Sequence, residues 1–389
     1  MNSSLLNELL SQPTAPFRED HVLRWVDQFL KKEKIPFFVD PSGNRVVGAS
    51  SEKDYIKLLR QKSSEPVRLF MAHTDHPGFH GQQWLSPTEL QVKWYGGTPT
   101  QNIEGATVGV FSRKKFLGTA TIKKSVLTPA GTSLQESVLE WTLPCPYGDQ
   151  PAESLAGAFS FRSPVWREND LIYTQAADDL VGVFAILMLF LNLKKRRNIP
   201  VIGILTRAEE VGFIGAIAHF ETGWLQQARR PVLCVSLETS RTLPGAEIGK
   251  GPVVRLGDRT TVFDPGALQV LSQLATTHLP TSHQKRIMDG GSCEATAASA
   301  YGFRTLGISV PLGNYHNQNL EGGPDSRGAV GSKSPAPEFV HSSDIDGLIT
   351  LCEALIEKNL PWADPWLRKR KGFKAELKKS KSLLKGLQT

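Results

Sequence analysis

A chain of 389 residues has room for one large α/β domain and a smaller companion, and 40% hydrophobic against 21% charged residues excludes wholesale disorder. The net charge of +7 is local: residues 362–389 hold nine Lys and Arg against two acids, and removing these from 45 and 38 leaves 36 of each sign. The body is therefore neutral overall, and the basicity belongs to a tail that reads as a solvated or partly helical extension.

The opening "MNSSLLNELL" lacks a basic start and a continuous apolar run, so no secretory signal is read. Apolar residues at helical spacing on both sides of a proline-containing loop run through "SSLLNELLSQPTAPFREDHVLRWVDQFLKKEKI", and "PFFVDPSGNRVVG" predicts two short strands joined by a turn. "PVRLFMAH" is an apolar strand delivering His73 and, just beyond it, Asp75. From about residue 80 to 165 short alternating segments such as "ELQVKWY", "ATVGVFS" and "SVLEWTL" are separated by Gly, Pro and Thr turns, predicting an inserted small β-domain. "LVGVFAILMLFLNL", with Asp178 and Asp179 before it and "KKRR" after it, is too short to span a bilayer and predicts a buried helix. Strands "VIGILT", "PVLCVSLET" and "TLGISVP" then alternate with helices in "GFIGAIAHF", "GALQVLSQLATTHL", "CEATAASAYG" and "DIDGLITLCEALIEKNL".

This alternation implies an α/β fold, a mostly parallel doubly wound sheet covered on both faces. Residues 1–79 and 166–361 form the principal domain, 80–165 a β-barrel-like insertion, and 362–389 the tail. The stretch from Asn317 to Pro337, rich in Gly, Ser and Pro, predicts a mobile loop. Cys145, Cys234, Cys293 and Cys352 lie far apart with no CxxC, which argues against a structural zinc knuckle or a disulfide framework and for the cytoplasm.

In doubly wound sheets, ligands bind beyond the carboxyl ends of the strands. Standing there are His73 and Asp75, Asp178 and Asp179, Glu209 and Glu210, Glu238, and His316. Imidazole and carboxylate together suit zinc, with cobalt or manganese as alternatives. Adjacent glutamates are intelligible if one binds metal while the other faces water as general base, because a dication balances charges that otherwise repel. Singly, each motif has an ordinary explanation: paired aspartates before a helix commonly form an N-cap, and "EE" is frequent on solvated helices. Their succession, each just after an apolar strand or just before a helix, is what points to a metal centre.

"MAHTDHPGF", "AADDLVG", "RAEEVGFIGA", "EIGKGPVVR" and "ISVPLGNYH" resemble the successive motifs of the dinuclear metallo-aminopeptidases of peptidase family forty-two, which include tetrahedral, deblocking and glutamyl aminopeptidases. The resemblance runs over most of residues 1–360. It implies a metal-dependent hydrolase cleaving amide bonds, an aminopeptidase on short peptides with two divalent ions, zinc foremost. His73 and Glu238 would hold one ion, Glu210 and His316 the other, and Asp178 would bridge them. Glu209 would be the general base and Asp75 would orient His73. It also implies a cis peptide after Asp178 and homo-oligomers assembled through the inserted β-domain.

The chain departs from the family pattern in three places. Glu238 and Leu180 stand where aspartate and arginine are usual, and "GGSCEA" leaves Cys293 or Glu294 to meet the substrate's amino group. His341, in "EFVHSSDIDG", is the alternative to His316 as a ligand; His316 is preferred because it follows the strand ending near Pro311 by five residues. Two other functions stay open at this stage: an N-acyl amide deacylase with the same site architecture, and a catalytically silent binding protein acting through its tail. No membrane partner is expected, and nucleic acid only through the tail.

Overall fold

The computed structural model describes residues 2–142, 145, 148–194 and 199–384; Lys195–Arg197 of the "KKRR" run and the last five tail residues lie outside them. An eight-stranded sheet forms the centre. Its four middle strands, Val201–Thr206, Val67–His73, Val232–Arg241 and Arg304–Leu312, are adjacent and parallel. The hairpin Phe37–Val39/Arg45–Val47 extends one edge in antiparallel fashion, and Val253–Asp258 with Gln284–Met288 extends the other. Strands 67–73 and 201–206 are buried at every position, which is why they read as nearly continuous apolar runs, with the buried Arg68 as the charged exception.

Both faces are covered. On one, the helix Leu180–Leu193 packs with Ser342–Leu355 and Pro265–His278 over Phe70, Val235 and Ile308. Its residues are buried all round apart from Leu191 and the exposed Asn192 near its end, so it is a core helix rather than an amphipathic one. On the other face Tyr55, Phe220 and Trp224 cluster against Leu69, Ile202 and Cys234. Among the described residues no helix is long and apolar enough to cross a membrane.

Six antiparallel strands between Gly78 and Phe159 close a barrel with its own core of Phe79, Trp94, Val108, Ile122 and Leu139. A third, three-stranded sheet pairs Val165–Glu168, Leu171–Thr174 and Glu338–His341.

The expectation of a mobile loop from Asn317 to Pro337 is corrected. Asn319 Nδ2 donates to the carbonyls of Arg327, Gly328 and Ala329 at 2.8, 3.3 and 3.1 Å, a web that needs no periodicity. Arg327 then donates to the carbonyls of Glu104 and Gly105, and the N–H groups of Thr100 and Gln101 donate to Lys333 O, pinning the segment to the barrel. The tail forms the helix Leu367–Ser380, with no buried residue.

Candidate metal centre

The carboxyl ends of the parallel strands are where the sequence's acids and imidazoles converge. His73 is the last residue of its strand and lies beside Thr206 in register, so the turn after Thr206 brings Glu209 and Glu210 alongside it. That turn is tight. Ala208 has φ +52°, a left-handed conformation that costs about 1–3 kcal/mol unless its surroundings hold it. Glu19 supplies one hold, accepting from Ala208 N at 3.1 Å and from the Arg207 guanidinium at 2.8 and 2.9 Å. Asp75 supplies the other: Oδ1 accepts from Glu209 N at 2.9 Å and Oδ2 from Glu210 N at 3.1 Å. The Asp75 carboxylate also approaches His73 Nδ1, at 3.6 Å, but that nitrogen meets the Asp75 main-chain oxygen more closely, at 3.1 Å.

Asp178 and Asp179 divide their work. Asp179 is the N-cap of the helix Leu180–Leu193, accepting from Gly182 N at 3.1 Å, and it also accepts from Thr239 Oγ1. The peptide between them is cis. Asp178 faces the cleft, with Oδ1 3.5 Å from His73 Nε2 and Oδ2 3.8 Å from His316 Nε2. His316 Nε2 is also 3.1 Å from Glu210 Oε2, and His73 Nε2 is 3.9 Å from Glu209 Oε2. Ligand atoms of His73, Asp178 and Glu210 all lie within 4.8 Å of one another.

These side chains fit a cation. Asp178 Oδ1, Glu210 Oε1 and His316 Nε2 are buried without a hydrogen-bond partner, where such groups are ordinarily satisfied. The charge is also unbalanced. Burial, together with Glu238, Glu210 and Glu294, holds the Glu209 carboxyl well above the usual carboxylate range, though His73 opposes this. Glu238 is pushed up to about 7 by burial, against the pull of Arg255 and His73. For His73 burial acts downward, but Glu209, Asp178 and Asp75 outweigh it and hold the imidazole well above its ordinary value. A site that strains to keep protons on its carboxylates is one that divalent charge would relieve.

Glu238 stands at the same level but outside the tightest group. It accepts from Ser236 Oγ at 2.9 Å and lies 3.9 Å from Arg255 Nη1. Glu294 is buried with neither oxygen hydrogen-bonded, and burial pushes it up to about 8, with His73 opposing.

Two expectations are corrected. Cys293 is fully buried and directs its thiol to Asp258 Oδ2, 3.5 Å away, rather than to any of the proposed ligands. His341 is the N-cap of the helix Ser342–Leu355, its Nδ1 2.8 Å from Ser343 Oγ, and it is His316 instead whose Nε2 stands 3.1 Å from Glu210 and 3.8 Å from Asp178.

Four contributors escaped the sequence reading. Glu19 and Glu338 act on the site from 189 and 160 residues away in the chain, through main-chain contacts with Ala208 and Asp178 that no local pattern reveals. Arg255 lies inside the quoted "EIGKGPVVR", and His76 inside "HTDHPGF", so both were within reach as buried ionisable residues of a motif.

The comparisons with known proteins agree with this architecture. The model of the M42 glutamyl aminopeptidase family matches residues 55–320. A TET aminopeptidase from the marine sediment archaeon Thaumarchaeota archaeon SCGC AB-539-E09 superposes with TM-score 0.70 at 18% identity, covering 95% of this chain and 99% of its own. An aminopeptidase from Desulfurococcus kamchatkensis gives 0.70 at 21%, over 92% and 95%. The Pyrococcus horikoshii TET1 peptidase, described as assembling into a tetrahedron or a large octahedral shell, gives 0.69 at 19%, over 92% and 99%. No curated protein sequence matches the chain. With the family model spanning most of the chain and the acids and imidazoles gathered where its chemistry requires them, the chain belongs to the M42 glutamyl aminopeptidase family and is a metallo-aminopeptidase.

Proposed function

We propose that the centre holds two divalent ions, zinc foremost with cobalt or manganese as alternatives, and that the enzyme removes the amino-terminal residue of short peptides. Asp178 would bridge, with His73 and Glu238 on one side and Glu210 and His316 on the other. The observation that carries this is the division of one carboxylate between two imidazoles, Asp178 Oδ1 toward His73 and Oδ2 toward His316. Bound there, divalent ions polarise an amide carbonyl and make water a stronger acid at neutral pH.

Glu209 is the proton carrier in this reading. Its carboxylate is almost wholly buried beside the ligands, and Asp75 fixes its main chain, so it meets a substrate-side proton in a set orientation. Glu294 is the candidate to meet the substrate's free amine. Self-association through the six-stranded barrel belongs to the same proposal, supported by the assemblies described for the Pyrococcus horikoshii protein. So does a cytoplasmic location, for which the buried thiols of Cys234, Cys293 and Cys352, none of them in a disulfide, speak.

The test is Glu209→Gln with metal analysis by mass spectrometry. Retained metal with turnover reduced by about 100-fold or more on an aminoacyl chromogenic amide supports the assignment; full metal with wild-type turnover overturns it. A parallel panel of N-acyl amino acids separates an aminopeptidase from a deacylase, since only the former needs a free amine beside the scissile bond.

A further inference from the structure

The peptide of Asp178 is gripped from both sides by two buried side chains that the proposed chemistry does not use. His76 Nδ1 donates to Asp178 O at 2.9 Å. Opposite, Glu338 Oε2 accepts from Ala177 N at 2.8 Å and from Asp178 N at 3.1 Å. The same two residues reach the second histidine turn. Glu338 Oε1 accepts from His316 N at 3.0 Å, and His76 Nε2 lies 3.1 Å from Asn317 Oδ1, whose Nδ2 is anchored on Gln175 O at 2.9 Å. His76 Nε2 and Glu338 Oε1 are themselves 4.0 Å apart, and both side chains are 0% exposed.

Strand pairing explains how this arises. Glu338 opens the strand Glu338–His341 and lies opposite Thr174 in the antiparallel pair, so the chain leaving Thr174 toward Asp178 passes its carboxylate. The His316 turn needs outside support: His316 and Asn317 have φ +54° and +56°, left-handed values that persist only where surrounding contacts impose them. Contacts at the other half of the centre are separate. His73 leans on the Asp75 main chain, and Glu238 on Ser236 and Arg255.

We propose that His76 and Glu338 are positioning residues that lock the Asp178 and His316 turns to one another and thereby set the affinity of the half-site formed by Asp178, Glu210 and His316. The proposal rests on the two-ion reading above. Glu338→Gln replaces one acceptor oxygen with an N–H that must face a main-chain N–H, and His76→Ala removes the donor to Asp178 O while leaving Glu338 in place. His76→Gln returns an N–H donor.

The experiment strips the full-length protein with a chelator and titrates it with Co²⁺, read by visible absorbance and by competition with a chromophoric chelator, beside the melting temperature of each metal-free protein. Loss of such orienting partners typically weakens metal binding about 10–100-fold. The expected result is a loss of that size in one of two binding steps for Glu338→Gln and for His76→Ala, a smaller loss for His76→Gln, and metal-free melting curves too similar to explain it. Wild-type affinity in Glu338→Gln and His76→Ala, beside a wild type that binds two ions, overturns the clamp alone; if Glu338→Gln does not fold, His76→Ala decides. A wild type that takes up no Co²⁺ overturns the two-ion reading and the clamp with it.

Discussion

The role of Asp75 is the most discriminating single question about this centre, and Asp75→Asn asks it. The carboxylate has two candidate clients: the glutamate turn, through hydrogen bonds of 2.9 and 3.1 Å to Glu209 N and Glu210 N, and the His73 ring, through an approach of 3.6 Å. An asparagine amide has one oxygen, so one of the two main-chain bonds is lost and its N–H₂ is set against an N–H in a fully buried position. A hydrogen bond to a charged acceptor contributes about 1.5–3 kcal/mol, which corresponds to about 10- to 150-fold in rate if the general base is thereby misplaced. Because His73 Nδ1 keeps the Asp75 main-chain oxygen at 3.1 Å, its ligand geometry should survive. The expected outcome is a fall of that size in kcat/KM on an aminoacyl chromogenic amide, with metal content by mass spectrometry unchanged. If Asp75→Asn instead lost metal while the protein reloaded with excess ion worked at the wild-type rate, the carboxylate would be acting through His73, and the argument from the turn would be refuted.

Two further outcomes follow from other contacts. At Gly97, a Cβ would come within 2.3 Å of His316 Nδ1, and the ring is already stacked on Tyr315 with centroids 3.7 Å apart, so it has little room to retreat. Gly97→Ala should therefore lower bound metal and cost about 1–3 kcal/mol of stability; a variant with full metal content and an unchanged melting temperature would show that the loop moves instead. His80 donates from Nε2 to Pro16 O at 2.7 Å, and its imidazole is pushed down to about 4, mainly by burial, with Arg18 and Lys93 adding to the fall. Its folded value lies below the ordinary 6.5, so the unfolded chain takes up the proton first; the contribution is full above about 6.5 and is lost as pH drops toward 4. His80→Gln should flatten the fall in melting temperature across that window, and parallel curves for the two proteins would count against it.

What the sequence determined by itself was whatever local patterns encode. A parallel strand buried on both faces reads as a nearly continuous apolar run, so its end is visible, and a polar residue just beyond it sits at the rim where ligands bind. His73, Glu209, Glu210 and His316 were legible on that ground, and Asp178 as an acid just before the apolar run of the core helix Leu180–Leu193; the turn-rich texture of the barrel strands was legible too. The preference for His316 over His341 rests on its spacing after Pro311, and the structure puts His316 Nε2 3.1 Å from Glu210 Oε2 while His341 caps its own helix.

The tertiary structure alone decided what holds those residues still. Glu19, Glu338 and Asp75 act by accepting main-chain N–H groups, and a main-chain donor leaves no mark on the sequence that supplies it. The same holds for the segment after His316, whose Gly, Ser and Pro content describes a free chain but whose Asn319 and Arg327 tie carbonyls from its own turns and from the barrel. Periodicity records which face of an element is buried; it carries no record of long-range polar contacts, because each is made once, between partners that only folding brings together.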